Sequence, residues 1–60
     1  MIFLIYYKVK IDDTRFIEDN YEIVAEGNKL KLEDINRFKT TVIRMFGVSP
    51  VIMNIMSLEV

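Results

Sequence analysis

The chain contains no cysteine and no histidine. Without them the usual tetrahedral zinc sites, the thiol or imidazole nucleophile–base pairs and any disulfide staple are excluded. The only glycines are Gly27 and Gly47, too few and too far apart for a loop that cradles phosphate. No apolar run approaches the ~20 residues needed to cross a bilayer. The opening "MIFLI" lacks the basic start, the longer apolar core and the small-residue cleavage site of a secretory signal. Positive charge is scarce: eight Lys and Arg against nine Asp and Glu give a net charge of −1. No bulk field therefore draws the chain to nucleic acid. Absence of cysteine fits a reducing cytosol, and the expectation is a cytoplasmic protein with no membrane partner.

What is present is a globular balance, 52% apolar and 28% charged over 60 residues. That length makes one domain, residues 1–60. A chain this short buries only about 60% of its unfolded surface, so packing quality and self-association carry its stability.

"IFLIYYKVKI" is rich in β-branched and aromatic residues and reads as a strand over Ile2 to Ile11. Its odd positions, Phe3, Ile5, Tyr7, Val9 and Ile11, form a core face throughout. Its even face is apolar at Ile2, Leu4 and Tyr6, then charged at Lys8 and Lys10. Asp12 to Thr14 supply turn chemistry. A second strand covers about Asn20 to Glu26, with Phe16 and Ile17 as an extension across a bulge or kink at Asp19-Asn20. Gly27-Asn28 is the next turn. "KLKL" reads as the approach to a helix, in preference to a short strand.

"LEDINRFKTTVIRMFG" has helical spacing. Ile35, Phe38, Val42, Met45 and Phe46 form one stripe, with Leu32 and Ile43 at its edge. Glu33 and Asp34 in the first turn and Arg44 near the end suit the helix dipole. Gly47 stops the helix, with Val48 closing the hydrophobic contact beyond it, and Pro50 forbids continuation. "VIMNIMSLEV" is the last strand, residues 51–60. Both of its parities are apolar, and its polar residues conflict. Asn54 favours the odd side as core, while Ser57 and Glu59 favour the even side.

The expected fold is α+β: β-β-α-β, a three-stranded antiparallel sheet in order 2-1-3 with one helix on one face. Order 1-2-3, with the last strand parallel to the second, is the alternative. One helix covers one face. Ile2, Leu4, Tyr6, Met56 and Leu58 are left as a back face for a dimer or partner, unless Phe16 and Ile17 fold over it.

The carboxylates Asp12, Asp13, Glu18, Asp19, Glu22, Glu26, Glu33, Asp34 and Glu59 fall mostly in turns or on polar parities. Such positions do not split their pKa values as acid–base chemistry requires. Asp12-Asp13 lacks the spacing of a calcium loop, and Ser49 and Ser57 have no histidine base. The expectation is no enzyme, no cofactor and no metal. Tyr6, Tyr7, Phe16 and Tyr21 are candidates to stack on bases, but the cations Lys8, Lys10, Arg37, Lys39 and Arg44 are divided between elements, which argues against nucleic acid. Residues 12–26 hold six carboxylates against Arg15 alone, a local charge of −5. This acidic edge, with Asp19, Tyr21, Glu22 and Glu26 as its candidate partner-binding residues, suits a basic groove on a protein. The competing reading is a charged edge strand that resists aggregation.

The acidic strand, the "LEDI" helix start, the "FGVSP" break and the "IMSLEV" ending together resemble short phage and mobile-element accessory proteins of Gram-positive bacteria. The resemblance spans most of the chain and rests on structural motifs. It implies an accessory factor that binds and blocks a host protein by direct contact, as anti-CRISPR proteins do, in the host cytoplasm. The modest acidity argues against strict DNA mimicry. A self-associating assembly subunit is the second expectation, and a small nucleic-acid-binding regulator the third.

Overall fold

The computed structural model describes residues 1–58. Strand β1 (Ile2–Lys10) is followed by β2 (Phe16–Val24), helix α1 (Leu32–Phe46) and β3 (Val51–Leu58). The sheet is antiparallel in order β2-β1-β3, the expected α+β fold. The expected run of the last strand through Glu59 and Val60 lies outside the described residues.

β1 takes the centre because its odd residues are apolar almost end to end. Phe3, Ile5, Tyr7 and Val9 are buried, with Ile23 and Ala25 beside them and Phe38 and Val42 of α1 above. Ile11 departs from the expected core face. It lies beyond the strand, is exposed, and its N–H donates to the Arg15 carbonyl. The turn that ends β1 is held by Asp12, whose Oδ1 accepts the N–H groups of Thr14 and Arg15, both at 2.9 Å. These bonds, with the Thr14 amide first, lower the Asp12 pKa.

β2 is continuous. Its register runs unbroken from Ile2 opposite Val24 to Lys10 opposite Phe16, without the expected irregularity at Asp19-Asn20. Gly27 turns the chain at φ 78°, and "KLKL" leads into α1 with Leu30 packed on the core margin. At the helix start the Lys31 N–H donates to Asp34 Oδ2. At its end Gly47 is left-handed, and its N–H donates to the Ile43 carbonyl at 2.7 Å.

One helix residue departs from the expected stripe. Met45 is 63% exposed. At about 100° per residue, Ile35 and Phe46 lie on one side of the Phe38–Val42 line and Met45 on the other. The helix is rolled toward Ile35 and Phe46, which pack on the core.

β3 carries a bulge. Ser57 and Ile55 pair with Phe3 and Ile5, and Asn54 pairs with Tyr6. The next pair is Ile52 with Tyr7, so Met53 is the extra residue. Facing therefore switches along the strand: odd residues share the helix side in the second half and Ile52 takes it in the first. Removing Met53 straightens the strand and leaves every other residue on its present face. The deletion variant is expected to melt within about 5 °C of the parent. A thermal melt followed by circular dichroism checks this, and loss of a cooperative transition would show that the bulge is required.

Candidate functional site

The alternation of β1 that builds the core leaves its even residues on the opposite side. Among the described residues no element lies over that side. Its rows follow from the register. Ile2 lies between Val24 and Leu58, Leu4 between Glu22 and Met56, and Tyr6 between Asn20 and Asn54. Val24 is 76% exposed and Met56 44%, while Ile2, Leu4, Tyr6 and Leu58 are half-buried. The far end is mixed. Lys8 sits between Glu18 and Val51, and its Nζ lies 4.8 Å over the Phe16 ring.

The structure thus brings Ile2, Leu4, Tyr6, Met56 and Leu58 onto one face and adds Val24. Nothing in the β2 alternation marked Val24 as a partner of that patch; the signal was its share of the even parity with Glu22. Phe16 and Ile17 do not cover the patch. They open β2, where Phe16 pairs with Lys10 at the charged end and Ile17 pairs with Val9 on the helix side. The chain exposes 4500 Å², roughly a tenth more than size scaling gives for a compact monomer of 7.1 kDa. An uncovered apolar patch of several hundred Å² is the size that marks an interaction surface.

The acidic residues of β2 do not form one surface. Asp19 and Tyr21 share the helix side with Tyr7 and Ile5, Glu22 lies on the bare side beside Leu4, and Glu26 follows the strand. Tyr21 is a packing residue. Its ring is 5.3 Å from Phe38, tilted by 60°, and it is half-buried. Tyr7 meets Phe38 edge-on at 5.2 Å. Burial, then the Asp19 carboxylate and Tyr21, push the Tyr7 hydroxyl above its ordinary pKa. Glu26 reaches an open cleft of about 320 Å³ at the start of α1, with Val24, Lys31, Glu33, Asp34 and Arg37. Among the described residues, no three carboxylates converge as a metal site would require.

On both sheet edges a backbone N–H donates to a neighbouring side chain. Met1 and Ala25 exchange two bonds, N–H to carbonyl in both directions. Odd residues of β2 therefore bond to β1, and even ones point their N–H groups outward. At the centre of that outer row the Asn20 N–H donates to Asp19 Oδ1 at 2.8 Å. By the same alternation the Ile55 N–H faces out from β3, and it donates to Asn54 Oδ1 at 2.9 Å. Each edge thus has its middle donor occupied, and β3 adds the bulge. These are devices that resist strand addition.

No helix of the described residues is long and apolar enough to cross a membrane. Compared with known proteins, the chain matches no family model, no curated protein and no solved structure.

Proposed function

We propose that the chain is a small, non-enzymatic protein-binding module, an inhibitor of phage type that blocks a host protein by direct contact in the host cytoplasm. The observation that carries the reading is the bare sheet face of Ile2, Leu4, Tyr6, Met56, Leu58 and Val24. A 60-residue chain that keeps this face apolar has a use for it. The phage and host elements rest on the resemblance of the acidic strand, "LEDI", "FGVSP" and "IMSLEV" to accessory proteins of that kind. Asp19, Glu22 and Glu26 add negative charge that complements a basic surface on the partner. Chemistry on a substrate has no support among the side chains. Among the described residues the carboxylates sit on β2, in turns and in the first turn of α1, and no histidine or cysteine is present to work with the serines.

The test is capture from the lysate of a Gram-positive host by tagged wild-type chain, beside Val24→Lys and a helix variant, Arg44→Glu. Val24 and Arg44 are both exposed, so neither change disturbs the core. A specific partner is expected to be retained by wild type and Arg44→Glu and reduced at least about tenfold by Val24→Lys. A partner held equally by all three would show that the bare face is not the contact surface.

A second reading, a self-associating assembly subunit, is favoured by the symmetry of the same face.

A further inference from the structure

We infer that a second copy of this chain occupies the bare face, packed sheet on sheet about a two-fold axis that runs along β1. This rests on the reading of the face as a protein interface and names the second copy as its occupant, which a host protein binding there displaces.

Rotation about an axis along β1 keeps β1 over β1 and turns β2 over the other copy's β3. Ile2, Leu4 and Tyr6 then meet their own counterparts on the axis. Val24 faces the second copy's Leu58, and Asn20 faces its Asn54. Apolar rows meet apolar rows, and the amides of the third row have matching donors and acceptors. Glu22 falls opposite Met56, a contact that leaves its carboxylate at the rim. Lys8, which would face itself, is turned onto Phe16 at 4.8 Å and has Glu18 as its cross-strand neighbour. It also stands at the end where two twisted sheets, packed near −30°, diverge.

The edges are the poorer route. The Asn20 and Ile55 N–H groups are occupied by Asp19 and Asn54, and β3 is bulged at Met53. Growth by strand pairing is thereby resisted, and the face is left as the site of association. Three strands of this length would lose roughly 500–600 Å² of accessible surface from each copy, a total at the lower end of specific interfaces. Interfaces at that end of the range belong to the weak, transient class, so association is sought from about micromolar concentrations upward.

Velocity sedimentation between about 1 and 300 µM covers those concentrations. The wild-type chain is expected to pass from monomer to dimer over that range. Met56→Glu sets a carboxylate against the second copy's Glu22, twice by symmetry, and is expected to raise the dissociation constant at least about 100-fold. Met56→Lys sets an ammonium against the same carboxylate and is expected to stay within about tenfold of wild type. Glu22→Lys combined with Met56→Glu is expected to restore the dimer. Met56 and Glu22 are both exposed, and unchanged circular dichroism shows that each variant folds. Equal weakening by Met56→Glu and Met56→Lys would overturn the axis. A wild-type chain that stays monomeric throughout would overturn the second copy. If capture of a host protein is then still lost with Val24→Lys, the protein-binding reading stands without the dimer. If capture is indifferent to that variant, both fall.

Discussion

Phe38→Ala is expected to unfold this chain at room temperature. Phe38 has no exposed surface and holds two rings, Tyr7 at 5.2 Å and Tyr21 at 5.3 Å. It is the point at which α1 grips both β1 and β2. Removing a buried phenyl ring usually costs about 3–5 kcal/mol, because the cavity left behind relaxes only in part. A single core in a chain of this size rarely supplies more than about 3–5 kcal/mol in all. The two magnitudes are equal, and no disulfide or zinc site holds the remainder, since cysteine and histidine are absent. Far-ultraviolet circular dichroism at low concentration checks the outcome. The variant should show little helix and no cooperative melt. A sharp transition within about 10 °C of the parent would mean that the core tolerates a loss of no more than about 2 kcal/mol, and would reduce Phe38 to an ordinary contact.

The same packing explains which parts of the fold the amino-acid order reveals. α1 is legible because independent local signals agree: acids in the first turn, Arg44 in the last, apolar spacing of three and four, and Gly47 in the left-handed conformation at φ 77°. The sheet order is legible because β1 has the longest apolar face and the strongest β propensity of the three strands. The departures all come from interactions beyond the local pattern. Alternation carries Ile11 into the core, but the chain has already bent to close the Asp12 turn. Helical spacing admits Met45 to the stripe, but only packing decides how the helix rolls. Tyr21 reads as a binding residue because it stands among acids, yet its ring belongs to Phe38.

The last strand is the sharpest case. Asn54 and Ser57 argue for opposite faces, and the structure follows Asn54: both lie beyond the bulge, where the odd residues, Ser57 among them, share the helix side. With Met53 set aside, Ile52 and Ile55 fall on the helix side, and Met56 and Leu58 on the bare side. Ile2, Leu4 and Tyr6 were legible from alternation alone; Met56 and Leu58 needed the register of β3, whose parities are both apolar. Their neighbour Val24 and the occupied edge donors at Asn20 and Ile55 needed the register.

The two faces of β1 should answer differently to the same truncation. Ile5→Ala removes a fully buried side chain beneath the helix. It is expected to cost about 2–5 kcal/mol at every protein concentration, a fall of at least about 10 °C in melting temperature. Leu4→Ala removes a side chain of similar size one residue away, on the bare face. In an isolated copy that side chain is only half-buried, so at low concentration its loss should cost about 1 kcal/mol or less. In a pair it sits on the axis, and its loss is felt through association. Each tenfold rise in protein concentration favours a folded dimer by about 1.4 kcal/mol per pair, roughly 5 °C for two chains of this size. The wild-type melting temperature should therefore climb with concentration, and Ile5→Ala should climb in parallel from a lower start. Leu4→Ala should stay flat. Calorimetric scans from tens of micromolar to about 1 mM distinguish these slopes from one another. A wild-type melting temperature independent of concentration would deny the pair. A Leu4→Ala loss equal to that of Ile5→Ala at the lowest concentration would mean that the bare face is covered within a single chain. The parallel-or-flat pattern separates a side chain that holds the fold from one that joins two folds, although the two are consecutive residues of one strand.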